Sequence, residues 1–180
     1  MALSATIYTL TIEVADVDRG VYTTLDLRLA RQPSESAEYL FMRLVAYCLE
    51  YTEGIELTEG VAAGDEPAVY VRDLTRQPVA WIEVGLPSAE RLHRGSKAAG
   101  RAAVYTHRDV EQFLRQLAGK KIHQAEQIPV YELNTGFVKE VASRLERRSR
   151  LVIARTDGEL YFTLGDFTVH TPLVQHQIPG

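Results

Sequence analysis

The sequence predicts an α+β protein, and three observations lead to that prediction. A chain of 180 residues, of which 46% are hydrophobic, is large enough to form one sizeable core. Segments with strand-like alternation and segments with helical spacing of apolar residues both occur along the chain. Their order does not follow the strict strand–helix alternation of α/β proteins. We therefore expect a single domain over residues 1–180, with a mixed central sheet flanked by helices.

The amino-acid composition limits the cellular environments and the protein classes that are compatible with this chain. No stretch approaches the roughly 18 apolar residues needed to cross a bilayer, and the N-terminus lacks the pattern of a secretory signal. The single cysteine, Cys48, excludes an internal disulfide and a Cys-rich zinc site. These features predict a cytoplasmic protein without a membrane partner. The net charge of −4 does not indicate a non-specific nucleic-acid binder, although a local basic patch could serve that purpose.

Alternating apolar and polar residues predict strand pairs at both ends of the chain. Residues 6–14 and 21–29 alternate on either side of a turn-rich segment, which predicts an N-terminal antiparallel hairpin. Near the C-terminus, residues 151–155 and 160–164 flank an Asp157-Gly158 turn and predict a second hairpin. A last strand is expected at 167–170.

Between these hairpins the sequence predicts four helices and several short strands. Capping residues define the helix starts: Ser34 for the first, Ser88 for the second, and a capping box of Thr106 and Asp109 for the third. The predicted helices cover 34–53, 88–100, 106–117 and 138–147, and the predicted strands cover 55–59, 68–73, 79–86, 103–105 and 128–133.

Glu83 is the strongest single candidate for a functional residue. The segment around it, residues 79–86, has apolar residues on both faces of a strand. This pattern predicts a central strand that is buried on both sides. A carboxylate in that position must be paired, protonated or coordinated to a metal, because burying an isolated charge is costly. The alternative to a functional role is a buried ion pair with an arginine or lysine.

Asp65 and Glu66 are the second candidates. They precede Pro67 at the start of the strand before the one that holds Glu83. Counting outward from the turn at 74–77 places Glu66 opposite Gly85, so that Glu66 and Glu83 share a face of the hairpin. The simpler interpretation of Asp-Glu-Pro is a polar turn.

Glu38 and a group of basic residues complete the candidates. Glu38 lies on the apolar side of the first predicted helix, although an acidic residue in a first turn is also favoured by the helix dipole. After the strand of Glu83, Arg94, Lys97 and Arg101 are spaced to form one stripe, with Arg91 nearby. A solvated face is the simpler interpretation, but as a group these residues could offset phosphate charge.

Four segments of the chain together resemble the YaeQ family. They are Met-Ala-Leu-Ser-Ala-Thr-Ile-Tyr at 1–8, Leu-Ala-Arg-Gln-Pro-Ser-Glu at 29–35, Asp-Glu-Pro at 65–67 and Trp-Ile-Glu-Val-Gly-Leu-Pro at 81–87. The resemblance is collinear and extends from residue 1 to the end. It implies a restriction-endonuclease-like core, a variation on the PD-(D/E)XK nuclease fold, with the N- and C-terminal β-hairpins added to it.

The resemblance also implies roles for the candidate residues. The acid that opens one strand of the nuclease pattern matches Asp65 or Glu66, the acid on the next strand matches Glu83, and the helical acid matches Glu38. Gly85 stands where the pattern has a lysine, so Lys97 from the neighbouring helix is expected to replace it.

Two functions from different classes follow. The first is a nuclease that depends on Mg²⁺ or Mn²⁺, held by Asp65, Glu66 and Glu83, which are hard oxygen ligands of the kind that Mg²⁺ requires. The second is a catalytically inactive nuclease-fold protein that binds nucleic acid or another protein. In that case arginines such as Arg43 or Arg72 would satisfy the buried acids.

Overall fold

The computed structural model describes residues 3–60 and 64–180 and contains two β-sheets and four α-helices in that part of the chain. In chain order the elements are β1 Thr6–Asp16, β2 Val21–Arg31, α1 Ala37–Leu49, β3 Ile55–Leu57, β4 Val69–Arg72, β5 Pro78–Val84, α2 Ala89–Ala99, β6 Ala102–Thr106, α3 Val110–Leu117, β7 Pro129–Glu132, α4 Thr135–Arg144, β8 Arg148–Thr156, β9 Glu159–Leu164, β10 Phe167–Pro172 and β11 Val174–Gln177. The α+β class predicted from the sequence is confirmed.

The first sheet joins the two ends of the chain. Its strand order is β10-β9-β8-β1-β2, and both predicted hairpins are present as antiparallel pairs. A parallel pair between β1 and β8 connects them, with Ile12 beside Leu151. The two hairpins thus form a sheet of their own, separate from the mixed sheet that carries the candidate residues. The inner residues of both hairpins are apolar and buried, and one continuous sheet buries them on one face.

The second sheet carries the candidate residues on its central strands. Its order is β11-β7-β6-β5-β4-β3, in which β3, β4 and β5 are antiparallel and β5, β6 and β7 are parallel. Tyr70 lies opposite Trp81, which is the register predicted from the turn. The register shifts only next to that turn, where Arg72 rather than Asp73 lies opposite Pro78.

The helices form two layers around the second sheet. Helices α1 and α4 pack between the two sheets in the larger core, whereas α2 and α3 cover the opposite face of the second sheet in a separate core. Alternate residues of β5 therefore face different cores: Ile82 faces α1, and Trp81 faces α2. Among the described helices, none is long and apolar enough to cross a membrane.

Two predicted helix starts are wrong because another side chain caps the helix. Helix α1 begins after Ser36, whose Oγ accepts a hydrogen bond from Tyr39 N at 3.0 Å; the predicted cap, Ser34, lies in the preceding turn. Helix α3 is capped by Asp109, whose carboxylate accepts from Gln112 N at 3.0 Å. Thr106, the other predicted cap, is the last residue of β6.

The fourth helix lies earlier in the chain than predicted. It covers Thr135–Arg144, because the side chain of Asn134 accepts a hydrogen bond from Phe137 N at 3.0 Å and so starts the helix three residues ahead of position 138. The arginine-rich segment that follows belongs to β8 and to the turn before it. This correction places Arg148 at the start of β8, a central strand of the first sheet, and Arg147 in the turn before it.

Candidate functional site

Glu83 lies on the face of β5 that is covered by α2. Its neighbours in sequence, Ile82 and Val84, point into the core beside α1, so the alternation of the strand turns Glu83 toward the smaller core. The residue is 5% exposed, which confirms the buried position predicted from the sequence. A carboxylate at this depth requires a partner.

The partner of Glu83 is Arg91, two residues inside the start of α2. Arg91 donates from Nε and Nη2 to Oε1 of Glu83, at 3.1 and 2.9 Å, and Trp81 donates from its indole Nε1 to the same oxygen at 2.7 Å. Gly95 allows this arrangement, because a Cβ at that position would stand 2.6 Å from the Trp81 ring. The helix therefore lies directly on the indole, which brings Arg91 within reach of the strand.

Arg91 also holds the segment that contains the other predicted acids. Its Nη1 donates to the carbonyl of Gly64 at 2.9 Å, and its Nη2 donates to the carbonyl of Glu66 at 2.7 Å. The neighbouring Arg94 reaches the exposed carboxylate of Asp65 at 3.4 Å. We call this group the arginine-bridged cluster: Asp65, Glu66, Glu83, Arg91 and Arg94. Three of the predicted site residues, Asp65, Glu66 and Glu83, thus lie together. The contacts that hold them there are made by arginines.

The environment of Glu83 affects its protonation. Burial raises the pKa of the Glu83 carboxyl above its ordinary value. The hydrogen bond from Trp81 and the charge of Arg91 oppose that rise without cancelling it. Folding therefore makes Glu83 easier to protonate, even though a guanidinium lies beside it.

The arginine-bridged cluster does not fit a divalent metal ion in this arrangement. A metal site of this class needs several carboxylate oxygens directed at one point. Here the guanidinium of Arg91 occupies the position beside Oε1, and the Glu66 side chain is exposed. Within residues 3–60 and 64–180, no group of three His, Cys, Asp or Glu side chains is placed to hold a metal.

Among the described residues, neither Lys97 nor Glu38 forms a hydrogen bond or ion pair with this cluster. Lys97 is exposed in the last turn of α2. Glu38 is half-buried in the first turn of α1 and lines a separate cavity. The predicted residues therefore fall into three groups: the cluster, the cavity of Glu38, and exposed Lys97 on α2.

The cavity that contains Glu38 lies at the carboxyl ends of the parallel strands. It encloses about 460 Å³, and we call it the strand-end pocket. The residues that matter for its chemistry are Glu38, Tyr39, Gly85, His107, Arg108 and Lys139. Sequence reasoning missed His107 and Lys139, because the parallel order of β5, β6 and β7 was not predicted; given that order, residues just after strands 78–84 and 102–106 share one edge.

Two further carboxylates pair with arginines elsewhere in the described structure. Glu35 pairs with Arg43 at 2.9 Å, and both side chains are almost completely buried. Glu56 pairs with Arg72 at 2.9 Å in a partly exposed position. Arg43 and Arg72 are thus the partners of these carboxylates, and Arg91 is the one that pairs with Glu83.

Buried Asp16 has two partners of its own. It accepts hydrogen bonds from Arg19 and from Arg155, the latter through Nη2 at 2.6 Å. Burial acts to raise the pKa of Asp16, but the two arginines outweigh it and hold the pKa below its ordinary value.

A concave basic surface occupies the outer face of the first sheet. Arg28 on β2 and Arg148 on β8 both lie beside Thr9 of β1, so the three side chains form a row across the sheet. With Arg147 and one acidic residue, Glu146, they line a concavity of about 800 Å³ in which arginines outnumber the carboxylate. We call it the basic concavity. None of these arginines forms an ion pair with any residue in the described part of the chain.

The architecture defines this protein as an α+β protein with two mixed sheets and four described helices. A family model described as "YaeQ protein" matches residues 1–173. Over 181 residues the chain is 32% identical to the uncharacterized protein YaeQ of Escherichia coli (strain K12) and 31% identical to that of Salmonella typhi, with 100% of each chain covered. The chain belongs to the YaeQ family, as the sequence resemblance predicted.

Two crystal structures of YaeQ proteins share this fold. The structure from Xanthomonas axonopodis pv. citri superposes with a TM-score of 0.86 at 26% identity, and covers 98% of this chain and 100% of that chain. The structure from Pseudomonas syringae gives a TM-score of 0.85 at 24% identity and 98% and 97% coverage, a likeness of fold alone.

Proposed function

We propose that this chain is a nucleic-acid-binding protein, built on a restriction-endonuclease-like core, in which arginine rather than metal holds the acidic residues. The nuclease pattern has an acid that opens one strand, an acid on the next strand and a helix beside a mixed sheet. Strands β4 and β5 and helix α1 provide that order of elements, which supports the proposed core.

The observation that carries the proposal is the position of Arg91. One guanidinium binds the Glu83 carboxylate and, through the carbonyls of Gly64 and Glu66, the segment that opens β4. A cation bonded at the point where a nuclease of this kind would hold its metal repels a second cation from the same oxygen. Binding without hydrolysis is therefore the function that this arrangement favours.

The basic concavity supports nucleic acid as the partner. Arg28, Arg147 and Arg148 are exposed and carry charges that the described carboxylates do not pair, although the whole chain is acidic with a net charge of −4. Guanidinium groups bind phosphate oxygens well because several N–H donors lie in one plane. A concave surface of this size suits contacts along a phosphate backbone, which position a nucleic acid without selecting its sequence.

Replacing Arg28 and Arg148 together with glutamine is expected to weaken the binding of a fluorescein-labelled 20-nucleotide DNA. We expect a loss of about 10-fold in affinity at low salt, because fewer phosphates are neutralised. The slope of log affinity against log salt concentration should also fall by about 1 to 2. Fluorescence anisotropy with single-stranded and duplex probes measures both quantities.

The matched control removes two positive charges from another surface. Arg115 and Lys120 are exposed on and after α3, and their replacement with glutamine should leave the affinity within about 2-fold of the original, since only distant charges change. Equal losses in the two double variants would show that the concavity has no special role. Absence of DNA binding at low salt by the unmodified protein would overturn the proposed partner.

A nuclease that depends on Mg²⁺ or Mn²⁺ is the second candidate function. The observation in its favour is that Asp65, Glu66 and Glu83 do lie near one another, as the nuclease pattern requires. Arg91 would have to leave Glu83 before a metal could bind there.

Titration with Mn²⁺ separates the two candidates. We expect calorimetry on the unmodified protein to detect no saturable binding up to about 1 mM Mn²⁺, because the Arg91 charge opposes a second cation at Glu83. The same titration of Glu83→Gln serves as the control for non-specific heat. Saturable binding that Glu83→Gln abolishes would favour the nuclease instead.

A further inference from the structure

The strand-end pocket lies where the fold exposes polar groups to a ligand. Strands β5, β6 and β7 are parallel and end at one edge of the second sheet. In open sheets with parallel strands, ligands bind in the crevice beyond the carboxyl ends of those strands. The pocket sits at that edge, beside Gly85 and His107, which follow β5 and β6. Its volume of about 460 Å³ is that of a site for a small molecule.

Three helices begin at this pocket. Ser36 caps α1, Asp109 caps α3 and Thr135 opens α4, and all three residues line the cavity. Each cap accepts one first-turn amide, so the other amides of each first turn lack an intrahelical partner. The positive ends of three helix dipoles therefore act together on one cavity, which favours a negatively charged ligand.

Two cationic side chains and a histidine add to this field. Lys139 and Arg108 are exposed at the wall of the pocket, and neither forms an ion pair within the ranges 3–60 and 64–180. His107 has a buried Nδ1 atom for which the described residues provide no hydrogen-bond partner. A buried polar atom without a partner is unusual in a folded protein, and here it belongs to a residue that lines the pocket.

The histidine is held neutral by its surroundings. Burial first, and then the charge of Arg108, lower the pKa of His107, while Glu38 acts in the opposite direction. A neutral imidazole can accept a hydrogen bond at one nitrogen and donate at the other. His107 therefore contributes hydrogen bonding rather than charge at neutral pH.

The pocket also contains two carboxylates, and these indicate which other groups the anionic ligand carries. Glu38 lines the cavity beside Tyr39, and Asp109 uses one oxygen to cap α3. Carboxylates only accept hydrogen bonds when ionised, so they suit ligand groups that donate, such as hydroxyls. A bare anion would be attracted by the cations of the pocket but repelled by its carboxylates. A phosphate joined to a hydroxylated group can bind the cations through the phosphate and donate hydrogen bonds to the carboxylates through the hydroxyls.

We propose that the strand-end pocket binds a phosphomonoester carried on a sugar, with Lys139 and Arg108 contacting the phosphate and Glu38 accepting from a sugar hydroxyl. Two sources share this chemistry: a free mononucleotide, and the 5′-phosphate at the end of a nucleic-acid strand. The second source rests on the proposed nucleic-acid binding, whereas the first does not.

Calorimetry with adenosine 5′-monophosphate, and with adenosine as the matched compound without phosphate, tests the proposal. We expect saturable binding of the monophosphate and none of adenosine at the same concentrations. The double variant Arg108→Gln/Lys139→Gln should weaken the monophosphate at least about 10-fold, since it removes both charge-assisted phosphate contacts. The variant Arg115→Gln/Lys120→Gln should not. Circular dichroism and thermal unfolding verify that both variants are folded.

Two outcomes would overturn the proposal: equal behaviour of the monophosphate and adenosine, or an unchanged affinity in Arg108→Gln/Lys139→Gln. A pair of oligonucleotides with and without a 5′-phosphate then distinguishes the two sources. Tighter binding of the phosphorylated strand identifies a strand end, and equal binding identifies a free mononucleotide. If neither oligonucleotide binds but the monophosphate does, the proposed nucleic-acid function fails while the pocket stands.

Discussion

The substitution Arg43→Ala is expected to destabilise the protein by about 3 to 5 kcal/mol, because it leaves the charge of Glu35 buried without a partner. The Arg43 side chain is 1% exposed and that of Glu35 is fully buried. Arg43 donates to Glu35 at 2.9 Å and to the carbonyl of Thr58 at 2.7 Å, so the substitution also leaves a backbone acceptor unpaired. Since domains of this size are stable by roughly 5 to 15 kcal/mol, such a loss approaches complete unfolding.

Urea denaturation followed by circular dichroism measures the effect. Arg115→Ala is the control, since an exposed arginine without a described ion pair should change the free energy of unfolding by less than about 0.5 kcal/mol. Replacing both partners, as in Glu35→Leu/Arg43→Met, should cost less than Arg43→Ala alone, because no charge then stays buried. A loss below about 1 kcal/mol in Arg43→Ala would contradict this account of the pair.

The substitution Arg91→Ala is expected to make stability depend on pH in a defined direction. Burial already raises the pKa of Glu83, and removing the arginine raises it further, since the charge of Arg91 opposes the shift. A carboxyl group whose pKa is raised by folding contributes stability below its ordinary pKa, and that contribution is lost as the pH rises through the raised value. The variant should therefore lose about 2 to 3 kcal/mol relative to the unmodified protein at pH 7, and much less near pH 4.

Chemical denaturation of the two proteins at a series of pH values measures this difference. The double variant Glu83→Gln/Arg91→Ala is the control, because a neutral side chain at position 83 removes the titration. Its difference from Glu83→Gln alone should hardly change between pH 4 and pH 7. A loss in Arg91→Ala that stays constant over this range would indicate that Arg91 stabilises the fold only through the carbonyls of Gly64 and Glu66.

The parts of the fold that depend on neighbouring residues could be predicted from the sequence. The register of β4 and β5 follows from the turn that joins them, so Trp81 could be placed opposite Tyr70. The burial of Glu83 followed from the apolar residues on both sides of it. Both predictions needed only short-range patterns, and both are confirmed.

The contacts between distant elements could not be predicted in the same way. Arg91 was recognised as a nearby charge, but its bond to Glu83 depends on how closely α2 approaches β5. That distance is set by the absent side chain at Gly95, which lies against the Trp81 ring. Glu38 is predicted to share a site with Glu83; it lines the strand-end pocket, whose wall also includes Val84 and Gly85, and the pocket itself was not predicted. Periodicity assigns a residue to a face of its helix, but it does not reveal what covers that face.

The parallel pair of β1 and β8 has a consequence for how the chain folds during its synthesis. The N-terminal hairpin is made well before β8, the partner of its β1 edge; Arg155, which binds Asp16, lies 139 residues further along the chain. Until then β1 exposes a row of unpaired backbone groups, a template for pairing with other chains. A nascent chain halted before β8 should therefore be prone to aggregate, and the β1 amides that face β8 should acquire protection from hydrogen exchange only after β8 has left the ribosome.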